Sequence, residues 1–409
     1  MLNLSKWDEG TPHPDPELGT LLSWVGTRGT TISLPPQPLD WQGLVKQAHT
    51  LGLAPLLYKK LDSVPWLAAI PEEPLRVLRD AYFTSAARNI ILQSELEAIA
   101  DRLAQAGIRV MVLKGAALAN SLYGNIALRP MSDLDLLVRP DDVKRAIDIL
   151  ENFDYVLVGT EADRLDPFAP SFTGELVFSK DSPVRATVEL HWQLIPAVTF
   201  RKATRLDTDK LWKHTAPLTI GMHEALQLTP EATLVHLCTH LGVHSFRHLR
   251  GLLDVALLAR ELDAAQWERF AGLAEVCQVR TVTYVALTLA QRIFQAEMPP
   301  AVIKRLEPSK VRRSLIFRLL RLDNLLHLTD EPGLTTGQAY LLRFLLSDSV
   351  ANSLKMLCWL WLPDRAWLQS RYGNRHRSLW RMRFTHIVQL LSSAVRYSLS
   401  RRWTSPARW

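Results

Sequence analysis

Apolar residues along the 409-residue chain change their spacing several times, and each change marks a different kind of element. Residues 1–40 hold two proline clusters, at 11–16 and 34–38, with few sustained periodic patterns, which predicts a loosely packed arm. From 41 to 107 the spacing is helical. Leu92, Leu96, Ile99 and Leu103 step by four, three and four along one face, and Gly107 follows as a C-cap. At 108 the period shortens: residues 108–113 read as a short buried strand, and the segment from Gly115 reads as a helix closed by Gly124. Residues 128–140 place Leu134, Leu136 and Val138 on one face of a strand and Asp133, Asp135 and Leu137 on the other. A helix follows, with Val143, Ala146, Ile147 and Leu150 as its inner stripe. Residues 155–158, 174–179 and 184–192 are three further strands, the last two joined by a turn-like stretch at 179–183. From about 205 onward the pattern is almost entirely helical, with Thr229 and Pro230 as a helix start.

These elements predict an α+β fold in which a small mixed sheet with flanking helices (108–195) is embedded between an N-terminal helical region (41–107) and a larger C-terminal helical region (196–370). Composition agrees with an ordinary globular chain: 47% apolar, 22% charged, 18 Gly and 24 Pro exclude wholesale disorder. Cys238, Cys277 and Cys358 form no CxxC pair and no disulfide framework, so a reducing, cytoplasmic setting is expected. The start carries acids and prolines without an apolar core, unlike a secretory signal, and no apolar run is long enough to span a membrane.

The formal net charge of +7 is unevenly placed. Residues 371–409 hold nine of the 48 Lys and Arg residues and no acid, so residues 1–370 carry 39 basic and 41 acidic side chains, a net of −2. The surplus therefore belongs to a basic tail, whose segment 384–399 reads as an amphipathic helix with arginines at its ends. Such a helix suits an anionic membrane surface or RNA, and equally a merely solvated tail.

The chemistry gathers around Asp133 and Asp135. Two carboxylates on one strand face suit oxygen ligation of one or two Mg²⁺ ions, although two solvent-facing acids at a sheet margin would look the same. Three neighbours weigh against the plainer account. Lys114-Gly115 ends a strand and opens a helix, where backbone N–H groups can approach a phosphate. Glu189 lies in the apolar strand Thr187-Val188-Glu189-Leu190, where an unpaired carboxylate is costly and a metal resolves the cost. Arg129 and Ser132 can offer a guanidinium and a hydroxyl to a triphosphate. Lys114 can act as a point charge on the phosphates or pair with an acid, and Arg129 can instead pin its loop by a salt bridge.

A Gly-containing turn after one strand, two aspartates on the next and a third carboxylate on a later strand resemble the polymerase-β-like nucleotidyltransferase superfamily. More narrowly, LKGAALANSLYGNIALRPMSDLDLLV followed by VELHWQL resembles a bacterial family of largely uncharacterised nucleotidyltransferases, the close match covering 108–195. LVHLCTHLG and WLPDRAWLQSRYG are similar to that family's C-terminal half. The resemblance implies Asp133 and Asp135 as metal ligands and Glu189 as a third ligand or as the base toward an acceptor hydroxyl. It also implies Gly115 beneath the phosphates, Mg²⁺ (or Mn²⁺) as cofactor and a nucleoside triphosphate as donor. The acceptor is left open: a small molecule, a peptide, a protein or an RNA would leave the same carboxylates. Lys114-Gly115-Ala116 departs from the superfamily's Gly-Ser turn by lacking the serine hydroxyl. The rival readings are a catalytically silent nucleotide- or partner-binding protein, and an interaction protein acting through its tail.

His236, His240, His244 and His248 recur every four residues. Neighbouring pairs have zinc-chelating spacing, but the ladder drifts about 40° per step, so all four cannot meet one ion. They are read as polar residues at a helix interface, with His236 and His240 as candidates for contact with acceptor or nucleotide. His191 shares the strand face of Glu189 and is a candidate for the same site.

Overall fold

Seven short strands form one mixed sheet in the computed structural model, which describes residues 15–27, 32–35, 38–159, 174–181, 185–320, 336–372 and 378–400. The strands are β1 (Met111–Val112), β2 (Leu134–Leu137), β3 (Val156–Val158), β4 (Glu175–Lys180), β5 (Ala186–His191), β6 (Thr215–Ile220) and β7 (His223–Leu228). Their order is β3-β4-β5-β2-β1-β7-β6. The pairs β5/β2 and β1/β7 are parallel and the rest antiparallel.

Helices surround this sheet, making the fold α+β. Before it come α1 (Pro16–Gly26), α2 (Trp41–Thr50), α3 (Ala54–Leu61) and α4 (Glu72–Gln105), and between strands α5 (Lys114–Ser121), α6 (Val143–Glu151), α7 (Val198–Ala203) and α8 (Thr208–Leu211). After β7 follow α9 (Pro230–Val243), α10 (Leu249–Glu261), α11 (Ala264–Val276), α12 (Arg280–Phe294), α13 (Pro300–Leu306) and α14 (Lys310–Leu319). The last four are α15 (Thr336–Leu346), α16 (Val350–Trp361), α17 (Arg365–Tyr372) and α18 (Leu379–Ser400). Among the described residues no helix is long and apolar enough to cross a membrane.

The stripe Leu92, Leu96, Ile99 and Leu103 is buried, as its spacing predicts, and joins one core with Leu134, Leu136, Val138, Val188 and Leu190 of the sheet. The alternation along β2 therefore sends those apolar side chains toward α4 and α6, and Asp135 to the opposite face, which meets the later helices.

Two expectations are corrected here. The segment after 205 is not wholly helical: β6 and β7 form a hairpin around Gly221 and extend the sheet past β1. Pro217 sits within β6 and disguises it, because proline is tolerated on the edge strand that β6 forms. Nor is the whole of 1–40 a loose arm. Pro16 opens α1, Asp15 caps it by accepting from the Leu18 N–H at 2.9 Å, and Leu18, Leu21, Leu22, Trp24 and Val25 are buried. Trp24 packs between Trp41 and Trp66, with ring centroids 6.1 and 5.5 Å away. Residues 1–14 and 401–409, the ends of the expected arm and tail, lie outside the described residues.

Candidate active site

Parallel pairing of β2 with β5 sets Asp135 opposite Glu189 and Leu137 opposite His191. Paired residues in a sheet share a face, so these polar side chains converge on the side away from α4 and α6. One ligand atom from each of Asp135, Glu189 and His191 lies within 4.8 Å of the other two. Strand β4 adds Glu175, paired with His191, a carboxylate that sequence reading passed over.

His191 is the hub. Its Nε2 lies 3.1 Å from Asp135 Oδ1 and 3.5 Å from Glu189 Oε2, while its Nδ1 lies 3.3 Å from Glu175 Oε2. Burial opposes charge on the ring, but the hydrogen bonds with Asp135 and Glu189 win and lift its pKa to about 9. Lys114 Nζ approaches the same Asp135 oxygen at 2.7 Å. Burial alone would raise the Asp135 carboxyl, yet Lys114 and His191 together hold it well below the usual carboxylate range. Lys114 thus adopts the acid-pairing arrangement. It opens α5 with φ of 43°, a left-handed conformation costing about 1–2 kcal/mol for a residue with a side chain.

Asp133 behaves oppositely. Burial first, and then repulsion from Asp135 and Glu189, raises its pKa, outweighing Lys114 and a hydrogen bond from Ser132. Glu175 is raised as well, by burial and by Glu189 against the pull of His191. The four carboxylates of the cluster outnumber its cations, Lys114 and the His191 ring, and its donors are mainly carboxylate oxygens, so a hard divalent cation fits.

Arg129 takes the loop-pinning arrangement. It donates from Nε to Asp254 Oδ1 at 3.0 Å and from Nη2 to Asp254 Oδ2 at 2.7 Å, tying the loop before β2 to α10. Its Nη1 faces Gly115, where an added Cβ would lie 3.0 Å from it. Gly115 thus permits a close approach that a larger residue would obstruct.

A cavity of about 390 Å³ opens beside these groups. Lys114, Gly115, Arg129, Ser132, Asp133 and Asp135 line its sheet side. The segment His49–Gly52, His240 of α9, Arg247 and His248 of the turn between α9 and α10, and Arg250 and Asp254 of α10 are among the residues that line the other side. Glu189 and His191 adjoin it through their contacts with Asp135. Of the histidine ladder, His240 and His248 reach the cavity, whereas His236 is fully buried with neither ring nitrogen hydrogen-bonded. Its pKa is depressed to about 3, by burial and then by Lys114. The rings from His236 to His248 follow one another at centroid distances of 6.0, 4.5 and 4.8 Å, the first two pairs tilted and the last edge-on.

Arg247, Arg250 and Asp254 were passed over because their run, HSFRHLRGLLD, lies far from the aspartates in sequence. A cluster of cations between two helices was the available signal. Glu175 was legible in principle: it alternates with buried Leu176 and Phe178, and the hairpin aligns it with His191.

Comparison with known proteins now adds a family. No curated protein matches the chain. One solved structure, an antigenic nucleotidyltransferase-like protein from Paracoccidioides brasiliensis, is similar at 13% identity and a TM-score of 0.30. That match covers 52% of this chain and 95% of the other, a likeness too slight to carry an argument. A family model described as "Uncharacterised nucleotidyltransferase" matches residues 37–295, from just before α2 to the end of α12. That span contains all the carboxylates and cations of the cavity, and the chain belongs to this family of uncharacterised nucleotidyltransferases.

Proposed function

We propose that the chain transfers a nucleoside monophosphate from a nucleoside triphosphate to a hydroxyl acceptor, releasing pyrophosphate, as a polymerase-β-like nucleotidyltransferase using Mg²⁺ or Mn²⁺. The carrying observation is the register of β2 on β5, which puts Asp135 beside Glu189, with Asp133 coupled to both. Asp133, Asp135 and Glu189 would hold the metal. When bound, a divalent ion supplies positive charge to the transferring phosphate and its leaving group.

The acceptor oxygen forms its bond to the α-phosphorus as the bond from that phosphorus to the α–β bridging oxygen breaks. Pyrophosphate leaves with the bonding electrons, and the acceptor proton passes to a carboxylate of the cluster. Glu189, side chain 26% exposed, is placed to take that proton from a solvent-facing acceptor. His191 acts through the others, fixing Asp135 from below by its 3.1 Å contact. Lys114 neutralises Asp135, Gly115 leaves room at the start of α5, and Ser132 and His240 face the cavity where the donor would lie. A nucleoside triphosphate donor is compatible with the cytoplasmic setting expected from the cysteines.

Incubation with each α-labelled triphosphate, Mg²⁺ or Mn²⁺ and host extract tests this reading. Label should reach an acceptor with wild type and fall to background with Asp133→Ala and with Asp135→Ala. Equal labelling by wild type and Asp135→Ala overturns it, and the labelled product identifies donor base and acceptor class together.

A second reading, an anionic-surface contact through the tail, is favoured by one observation. Helix α18 buries Met382 and His386 but leaves Trp380, Phe384 and Val388 exposed, at 77, 70 and 45%. These three share one face, with Arg381 and Arg383 on its flanks, the layout of a helix lying in a lipid interface.

A further inference from the structure

Arg250 stands out on the helical wall of the cavity. Among the described residues its guanidinium makes no hydrogen bond or ion pair, although it is half-buried. The nearest acid, Asp254, is already taken: Arg129 holds both its oxygens and Tyr123 Oη donates to Oδ1 at 2.7 Å. Arg250 is pressed between that pair and the turn after α2, where a Cβ added to Gly52 would lie 3.4 Å from its Nη1. Burial and then the like charge of Arg129 hold its pKa below the ordinary value, as expected of a cation lacking a counter-ion.

The backbone leading to it is strained. Ser245 and Phe246, between α9 and α10, both have positive φ, 55° and 59°, and fully buried Phe246 anchors the turn. Strain of this kind persists where the surroundings enforce it and gathers at ligand sites. It delivers Arg247, His248 and Arg250 to one wall, with Asp133 and Asp135 on the facing wall.

On one wall Asp133 and Asp135 share the single cation Lys114, and on the other Arg250 faces an acid already taken by Arg129. A single ligand satisfying both is a polyphosphate carrying a divalent ion, and about 390 Å³ suits a small molecule. We propose that Arg250 is the principal ligand of the β- and γ-phosphates of the donor, and of the pyrophosphate they become, so that the helical region holds the leaving group. Arginine's planar fork matches two phosphate oxygens at once. The proposal rests on the nucleotidyl-transfer reading and replaces the missing hydroxyl of the Lys114-Gly115-Ala116 turn with a group from α10.

The test is calorimetric binding of inorganic tripolyphosphate and pyrophosphate to the full chain, with and without Mg²⁺, for wild type, Arg250→Ala and Arg250→Lys. Thermal melts check folding, and nucleotidyl transfer is assayed on the same samples. Arg250→Ala should bind about tenfold to a hundredfold more weakly, with Arg250→Lys between it and wild type. Wild-type affinity in folded Arg250→Ala, or in Arg250→Lys should the alanine variant fail to fold, overturns the proposal, even with transfer intact. Conversely, Arg250-dependent polyphosphate binding by a wild-type chain that transfers nothing would support the phosphate site while overturning the reaction.

Discussion

Arg129 and Asp254, 125 residues apart in sequence, form a two-bond ion pair with both side chains buried, and Tyr123 completes the carboxylate's partners. The pair joins the loop that feeds β2 to the helix that carries Arg250. Breaking a buried pair from one side leaves an uncompensated charge, at about 3–5 kcal/mol. Asp254→Ala should therefore lose about that much stability in urea unfolding, whereas Tyr123→Phe, which removes one hydrogen bond to a charged group, should lose about 1.5–3 kcal/mol. Near-equal losses would show that the ion pair is not the stronger element.

Lys114 competes with any cation for Asp135, because its Nζ sits 2.7 Å from Oδ1. Lys114→Met should tighten Mn²⁺ binding by the nucleotide-free protein, read by electron paramagnetic resonance, by about tenfold, since removing a like charge at this range is worth about 1–4 kcal/mol before solvent adjustment. Unchanged or weaker affinity would mean that Lys114 screens the cluster rather than competing for it.

His236 makes the fold sensitive to acid. Its pKa is about 3 in the folded chain against an ordinary 6.5, so below 6.5 the unfolded chain takes up a proton that the folded chain refuses. Stability should then fall as pH drops from 6.5 toward 3, by up to about 1.4 kcal/mol per pH unit. His191 has the opposite sign: raised to about 9, it contributes fully below 6.5, and that contribution is lost as pH rises through 9. Urea melts at pH 7.5, 6.0 and 5.0 should show a shallower acid loss for His236→Leu than for wild type. Parallel slopes would contradict the assignment.

The outward face of α18 predicts lipid binding. Wild type should sediment with vesicles containing phosphatidylserine and not with neutral phosphatidylcholine vesicles, and binding should weaken as salt rises. Trp380→Ser with Phe384→Ser should abolish co-sedimentation while leaving nucleotidyl transfer unchanged. Binding that survives the double substitution would exclude this face as the contact.

What the sequence made legible follows from where each signal lies. The helix stripe of Leu92 to Leu103 and the alternation of Leu134, Asp135 and Leu136 are local, so both could be read, and the structure places them as read. The pairing of β2 with β5 was also within reach, because Glu189 stood out as a charge in an apolar strand. Other features depend on distant partners. The roles of Arg129 and Lys114 stayed open until Asp254 and Asp135 appeared beside them. The edge strand β6 was hidden by Pro217, and α1 by the very prolines that begin it.

The parallel pairing of β1 with β7 has a mechanical consequence. One strand runs into α5, which begins at Lys114, and its neighbour runs into α9, which bears His236 and His240. The two walls of the cavity are thus rooted in adjacent strands, like two teeth on one jaw instead of two jaws on a hinge. Clamped again by Arg129 and Asp254, they cannot part without tearing the sheet. Whatever enters the cavity must therefore pass through a mouth whose width the sheet itself sets.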